Sequence, residues 1–182
     1  MRMQKITISK EVIDVLILAI DPGNMESGFA VIEMPDFRLI EFGKANNETL
    51  AEVFRGRSGV TFDAVAIEMV ACYGMPVGKD VFDTCVWIGR FVETLRCEEI
   101  YRVYRKDEKM CLCGDMRAKD SNIRQALVNL YAKHDYKIGK GTKKNPDTFY
   151  GVSKDVWQAI AVAVTFRRTL TTPFLEPPQR FE

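Results

Sequence analysis

Three acidic residues stand where folded elements could bring their carboxylates together. Asp21 ends the apolar run DVLILAID, Glu68 lies near the end of DAVAIEM, and Asp155 begins the apolar stretch DVWQAIAVAVTF. Clustered carboxylates repel one another unless cations neutralise them, and hard oxygen ligands of this kind favour magnesium, with manganese as a substitute. Two such ions about 4 Å apart can ionise an attacking water and neutralise the leaving oxygen of a phosphodiester. The pattern indicates metal-dependent phosphoryl transfer.

Each acid also has a simpler interpretation. Asp21 stands in Asp-Pro-Gly, a common turn signal, and Asp155 in a first helical turn favours the helix dipole. Glu68 is harder to dismiss, because a carboxylate at the end of a buried strand needs a cationic partner or a bound ion. Asp120 also has a simple interpretation, as an acid at a helix N-terminus.

Hydrophobic periodicity predicts the elements that must position these acids. We expect strands at 14–21, 27–34, 37–43, 63–69 and 100–104, and helices at 47–57, 82–96, 120–132 and 154–168. The fold class is α/β: a five-stranded mixed sheet, with three antiparallel strands and then two parallel ones, flanked by helices. If the first and fourth strands are parallel neighbours, Asp21 and Glu68 meet at one sheet edge.

Two further local predictions concern burial. The helix over 82–96 has a stripe at helical spacing that we expect to face the core, made of Phe82, Val86, Gly89, Val92 and Leu95. The Gly- and Lys-rich segment 137–150 predicts an exposed loop.

The length and composition predict one globular domain over residues 1–168, followed by a Pro-rich tail over 169–182. Hydrophobic residues make up 47% of the 182 and charged residues 28%, which excludes wholesale disorder.

The net charge of +1 hides a division of charge along the chain. Residues 102–154 carry 13 basic and 6 acidic residues, giving +7, and the remainder carries 13 basic and 19 acidic, giving −6. A basic segment beside an acidic one suits a nucleic-acid enzyme, although both could be ordinary solvated faces.

The basic segment supplies the candidate DNA contacts. Lys140, Lys143 and Lys144 lie in the Gly-containing loop, with Lys137 and Lys154 beside them, and Lys119 and Arg124 add to the patch. Phosphate contacts from such residues make binding strongly salt dependent. The competing interpretation is a solvated loop without a partner.

Targeting signals and cysteines indicate a cytoplasmic protein with no membrane partner. The start of the chain has no signal-peptide pattern, and no apolar run reaches the roughly 20 residues that span a bilayer. The five cysteines have no paired CxxC spacing, so we expect free thiols. We expect no small-molecule cofactor.

Three motifs in order resemble a known family. LAIDPGNMESGFAVIE is similar to the first strand and hairpin of the RuvC-type Holliday junction resolvases, in the ribonuclease H-like superfamily, and VAIEMV resembles their second acidic strand. AKDSNIRQALVNLY and GTKKNPDTFYGVSKDVWQAIAVAVTF resemble the phage-encoded branch, whose closing helix begins with a catalytic Asp. The resemblance spans about Leu16 to Phe166.

The resemblance implies a ribonuclease H-like homodimer that nicks four-way DNA junctions symmetrically with two magnesium ions per active site. It implies that Asp21, Glu68 and Asp155 are the catalytic metal ligands. Bacterial members have a fourth ligand three residues before the last Asp, where this chain has Val152. Three carboxylates suffice, or Ser153, Lys154 or Asp120 takes up part of the role. Family members also stack or wedge a residue at the crossover, for which Tyr73 is the candidate. A phage-encoded protein would act in the host cytoplasm.

Three other functions compete. An ATP-binding protein of the actin or sugar-kinase type shares the strand ending in Asp-x-Gly, but it needs two such domains, and the chain has room for about one. A junction-binding protein without catalysis is disfavoured by the three retained acids. A ribonuclease H acting on RNA–DNA hybrids shares the metal chemistry.

Overall fold

The computed structural model describes residues 14–56, 62–72, 74, 76–95, 97, 99–171 and 179–181. Tyr73, the candidate stacking residue, lies outside the described residues. The strands are β1 (Val15–Asp21), β2 (Glu26–Met34), β3 (Arg38–Asn46), β4 (Ala64–Met69), β5 (Ile100–Tyr104) and β6 (Gln179–Arg180). The helices are α1 (Asn47–Gly56), α2 (Lys79–Thr94), α3 (Arg105–Cys113), α4 (Asp120–Tyr131) and α5 (Lys154–Thr171).

The strands form one mixed sheet in the order β3-β2-β1-β4-β5-β6. β1 pairs antiparallel with β2, and β2 with β3, whereas β1, β4 and β5 run parallel to one another. This confirms the predicted meander followed by parallel strands. The prediction of five strands is one short, because Gln179 and Arg180 pair antiparallel with β5. A two-residue edge strand carries no periodicity that a sequence pattern could show.

Two cores cover the two faces of the sheet because successive side chains of a strand point to opposite sides. Ile17 and Ala19 of β1 face the core that α4 and α5 complete. Leu18 and Ile20 face the other core, which α1 and α2 complete. Asp21 continues the first series, so its side chain is on the α5 side.

The predicted buried face of α2 is wrong in part. Leu95 is buried as expected, but Phe82 and Val86 are 59% and 62% exposed. Val92 of the predicted stripe is partly buried against the sheet core, but the fully buried apolar residues of α2 are Ile88 and Phe91, with Trp87 beside them. Both sets recur at helical spacing, so periodicity alone cannot tell which apolar face of a helix meets the sheet.

Helix α3 was not predicted, and it lies directly after β5. Its sequence RKDEKMCLC lacks an apolar stripe, and its formation rests on its ends. The Asp107 carboxylate accepts the Tyr104 N–H at 3.1 Å at the N-terminus. Gly114 ends the helix with a φ of 66°, a left-handed conformation that glycine adopts without strain.

The prediction of an exposed loop at 137–150 is also wrong in part. Gly139, Asp147 and Phe149 of this segment are buried, and the chain between them makes successive turns. Phe149 packs against Trp157 of α5 with ring centroids 4.5 Å apart. The segment is therefore anchored on the core.

Among the described residues, no helix is both long enough and apolar enough to cross a membrane. All five cysteines are free thiols, as the spacing predicts.

Candidate active site

Asp21 and Glu68 end adjacent parallel strands on the same face of the sheet. The register pairs Ile20 of β1 with Ile67 of β4, so the next residue of each strand, Asp21 and Glu68, lies beside the other. Glu68 continues the series Ala64 and Ala66, which faces the α5 core. The two carboxyl groups are close enough for Glu68 to raise the pKa of Asp21 by its charge and by side-chain hydrogen bonding. The alternation that buries alanines along these strands also points both acids toward α5.

Burial and mutual repulsion hold these two carboxyls in an unfavourable environment for charge. Burial raises the pKa of Asp21 to about 8, and the charges of Glu68 and Asp155 add to the shift, while Arg105 opposes it. Burial likewise raises the pKa of Glu68, and Arg105 again acts in the opposite direction. Burial is the largest cause of both shifts, and Arg105 only partly offsets it, so negative charge on either carboxyl is costly without a further cation.

A closed network fixes the turn after Asp21. The Ser27 hydroxyl donates to the Asn47 side-chain oxygen at 2.6 Å, and the Asn47 amide donates to the Gly23 carbonyl at 2.9 Å. The Gly23 N–H donates back to the Ser27 hydroxyl at 3.2 Å. A Cβ at Gly23 would overlap the Glu26 carbonyl oxygen, so glycine is required in this turn. The network holds the end of β1, and with it Asp21.

Asp155 reaches the site from the first turn of α5. The helix approaches β2 closely because Gly28 has no side chain, and an added Cβ there would lie 2.7 Å from the Asp155 carbonyl oxygen. Gly28 pairs with Asp21 on one side and with Lys44 of β3 on the other. The Lys44 ammonium contacts the Asp155 carboxylate at 2.9 Å and Glu26 at 2.8 Å. These carboxylates raise the pKa of Lys44 further above its ordinary value, with Glu26 contributing most.

A second cation, Arg105 of α3, lies on the other side of the site. Its guanidinium contacts Glu108 at 2.6 Å and Asp120 at 2.5 Å, and it is 4.0 Å from Glu68. Glu108 is fully buried. Burial raises the pKa of Glu108 well above its ordinary value, as does Glu68, and Arg105 opposes the shift. Arg105 opposes the rise because its 2.6 Å contact stabilises the ionised form of Glu108.

These side chains surround a cleft of about 350 Å³. The cleft is lined by the four carboxylates and three cations of the site, together with Trp157 and Gln158: Asp21, Glu68, Asp120, Asp155, Arg105, Arg124 and Lys154. The predicted acids therefore share one cavity, and Asp120 joins them at the first position of α4.

The donor set suits a hard divalent cation, since it consists of carboxylate oxygens. Within the described residues, no group of three or more His, Cys, Asp or Glu side chains stands in a geometry that could already hold a metal ion. The Lys44 ammonium, 2.9 Å from the Asp155 carboxylate, occupies one oxygen that a cation would use. Burial and the charge of Glu68 raise the pKa of Asp21, and a bound cation would favour its ionised form.

Val152, at the position where bacterial members of the family have a fourth ligand, does not line the cleft. Val152 is 1% exposed and packs in the core. Ser153 is exposed, and its carbonyl accepts the Trp157 N–H at 3.2 Å, but it does not line the cleft. Lys154 does line it. Of the candidate substitutes, Lys154 and Asp120 are the two at the cavity.

The predicted DNA-contact residues fall into two groups. Arg124 lines the cleft, with its guanidinium 5.6 Å from the Trp157 ring centroid, and Lys119 is exposed immediately before α4. Lys143 and Lys144 are exposed and Lys140 is half-buried, all outside the cleft lining.

The lysine-rich segment is held by two carboxylates beneath it. Asp147 accepts backbone N–H groups from Lys133, His134 and Asp135 at 2.6–2.9 Å and from Thr148 at 2.6 Å. Burial opposes ionisation of Asp147, but these donors outweigh it and hold its pKa well below the usual range. Asp135 accepts N–H groups from residues 138, 140 and 141. The lysines therefore project from a fixed backbone.

Sequence patterns missed Lys44, Arg105 and Glu108. Lys44 could have been found from the alternation of β3, which points it to the same face as Phe42. Arg105 and Glu108 depend on α3, for which the one signal was an acid three residues after the predicted strand end, in a capping position.

No protein-family model matches the sequence, and no curated protein matches it. Solved structures of similar fold include two of RuvC. T. thermophilus RuvC in complex with Holliday junction substrate has 14% identity and a TM-score of 0.64, covering 92% of this chain and 99% of that chain. A Thermus thermophilus RuvC structure has 14% identity and a TM-score of 0.66, covering 91% and 99%. The likeness confirms the expected RuvC-like, ribonuclease H-like fold.

Proposed function

We propose that this protein is a metal-dependent, structure-selective DNA endonuclease that resolves four-way junctions by paired symmetric nicks. The observation that carries the proposal is the shared cleft of Asp21, Glu68 and Asp155 in a fold similar to RuvC. A solved structure of similar fold is T. thermophilus RuvC in complex with Holliday junction substrate, which supports branched DNA as the substrate class.

Asp21, Glu68 and Asp155 would hold two magnesium ions through their carboxylate oxygens. When bound, such ions activate a water and neutralise charge on the phosphodiester. The chain supports this by burying Asp21 and Glu68 at the strand ends, where few other partners compete for their oxygens. Lys44 must share or release Asp155 when a cation enters.

DNA binding would use the cationic residues around and beyond the cleft. Arg124 and Lys154 line the cleft, and they would hold the backbone near the reacting phosphate. Lys119, Lys140, Lys143 and Lys144 would hold more distant phosphates, and a fixed loop backbone lowers the entropy lost when they bind. Phosphate contacts position the duplex without reading its sequence.

Paired nicking requires two active sites, so we propose a homodimer. The outer face of α2 is a candidate interface, because Phe82 and Val86 are exposed on adjacent turns. Large apolar side chains at this spacing on an uncovered helix face are typical of helix-mediated association. The phage-encoded branch, the cytoplasmic location and the division into a domain over 1–168 and a tail over 169–182 stay predictions.

Cleavage of matched substrates tests the proposal. A labelled four-way junction, the corresponding duplex and an RNA–DNA hybrid would be incubated with magnesium and either wild type or Asp21→Asn. We expect the wild type to cut the junction in preference to the other two and the variant to cut none. Preference for the hybrid would assign ribonuclease H activity instead. If the wild type bound the junction but did not cut it, the protein would instead be a junction-binding protein without catalysis.

A further inference from the structure

Arg105 has two carboxylate partners in the cleft, and one of them can be exchanged for another anion. One terminal nitrogen, Nη1, contacts the Glu108 carboxylate at 2.6 Å, and the other, Nη2, contacts Asp120 at 2.5 Å. The arginine side chain itself is 22% exposed, so it reaches solvent from the cleft wall.

Glu108 is an anchor that solvent cannot replace. Its side chain is fully buried, Oε2 accepts from Arg105, and Oε1 has no hydrogen-bond partner among the described residues. A buried carboxylate that lost its remaining partner would be strongly destabilised, so the Arg105–Glu108 contact persists while the protein is folded. The guanidinium is therefore fixed at one end.

Asp120 is a partner of a different kind. Its side chain is 60% exposed at the start of α4, where water and salt compete for its contact with Arg105. A phosphate oxygen offers the same guanidinium a charge-assisted hydrogen bond of equal or better geometry. The Nη2 group can thus exchange Asp120 for a phosphate without moving the end held by Glu108.

We propose that Arg105 binds a non-bridging oxygen of the scissile phosphodiester through the amino group that contacts Asp120 in this structure, and that Glu108 is its positioning residue. The inference rests on the proposed function, because Asp21 and Glu68 line the same cleft as Arg105. A fixed cation beside the reacting phosphate stabilises the charge that develops as the new P–O bond forms and the old one breaks.

The assignment gives Asp120 a role that differs from metal binding. As the resting partner of Arg105, Asp120 competes with DNA for the guanidinium. Asp120→Asn should therefore tighten binding of a four-way junction measured in EDTA by about 2-fold or more, a change of the size of one exposed ion pair. If Asp120 held a catalytic metal ion instead, the variant would lose magnesium-dependent cleavage, and that loss would overturn the assignment.

Single-turnover cleavage of a prebound junction tests Arg105 itself. Arg105→Ala should slow cleavage by at least ~100-fold, the cost of removing one fixed donor to a developing oxyanion. Added guanidinium should restore part of the rate to Arg105→Ala, an effect that lost folding would not produce. Arg117→Ala is the matched control, since Arg117 is 92% exposed and does not line the cleft.

Arg105→Ala leaves Glu108 unpaired and could fail to fold, so a double variant keeps the test decisive. Arg105→Met with Glu108→Met removes both charges from a buried pair, a replacement that commonly preserves stability. We expect its melting temperature to stay close to that of wild type and its cleavage rate to fall as in Arg105→Ala. A folded double variant that cuts at the wild-type rate would overturn the inference, whereas a wild type that cuts no branched DNA would overturn the proposed function.

Discussion

Gly28 of β2 lies directly beneath the backbone carbonyl of Asp155, so close that a Cβ on Gly28 would be 2.7 Å from that oxygen. The same glycine pairs with Asp21 in β1 and with Lys44 in β3. One missing side chain therefore lets α5 settle on the sheet with its carboxylate near Asp21 and within reach of Lys44. The site depends on this close approach as much as on the acids themselves.

Gly28→Ala should damage the site without removing any of its charged groups. The added methyl forces α5 away from β2, which costs about 1–3 kcal/mol of stability by overpacking. Because a misplacement of about 1 Å can cost about 100-fold in rate, we expect a comparable loss of junction cleavage. Gly56→Ala is the control, since nothing lies within 4 Å of a Cβ at Gly56. Equal activity of the two variants would contradict the role of Gly28.

Lys44→Met should lower the magnesium concentration needed for half-maximal junction cleavage. Lys44 competes with a cation for Asp155, and because solvent screens an ion pair of this kind, we expect a modest shift of about 2- to 5-fold. Glu26→Gln keeps the contact between Lys44 and Asp155 and serves as the control. A higher magnesium requirement in Lys44→Met would show that Lys44 supports the metal-bound state instead.

Asp147→Asn should loosen the lysine-rich loop. An amide nitrogen cannot accept the backbone N–H groups that Asp147 holds, so we expect a loss of about 1–3 kcal/mol in the free energy of unfolding and weaker junction binding. Thermal melting and junction binding measured at increasing salt would detect the two effects. If Asp147→Asn lost stability but bound the junction with wild-type affinity, the lysine-rich loop would not contribute to DNA binding.

The low pKa of Asp147 also predicts how the stability of the protein changes in acid. The pKa of Asp147 is lower in the folded protein than in the unfolded chain, so its contribution to stability is complete above the unfolded pKa of about 4. That contribution is lost as the pH falls from about 4 toward the lower folded pKa. Acid unfolding of wild type should therefore steepen below about pH 4, and the change in stability across this range should be smaller in Asp147→Asn.

Val86→Glu should break the proposed dimer without unfolding the protomer, because Val86 is exposed in the single chain. A charge in the centre of an apolar interface should raise the dimer dissociation constant by at least ~10-fold. Analytical ultracentrifugation of wild type and variant measures this, with Val53→Glu on α1 as a control for an exposed valine elsewhere. An unchanged association state would exclude this face of α2 as the interface.

The strand ends were predictable because alternation and register follow from local sequence. Asp21 and Glu68 each end an apolar run, and parallel pairing of those runs brings the acids together. The outer face of α2 was not predictable, because Phe82 and Ile88 belong to apolar stripes of equal periodicity. Which stripe meets the sheet is decided by tertiary packing.

The cationic half of the site was missed for a related reason. Arg105 and Glu108 occupy a short helix with no apolar stripe, and the burial of Glu108 depends on contacts between α3, α4 and α5 that no local pattern contains. Lys44 is an ordinary strand lysine until Gly28 and Asp155 are placed beside it. Long-range neighbours define the charge balance of this cleft.

The most direct test of the central claim uses a supercoiled plasmid that extrudes a cruciform, incubated with magnesium and wild type or Asp21→Asn. A junction resolvase with two coordinated active sites should convert the plasmid to linear molecules within one encounter, and Asp21→Asn should leave it intact. A plasmid of the same size without the cruciform should stay uncut. Cleavage of both plasmids at equal rates, or no cleavage of the cruciform by wild type, would contradict the account.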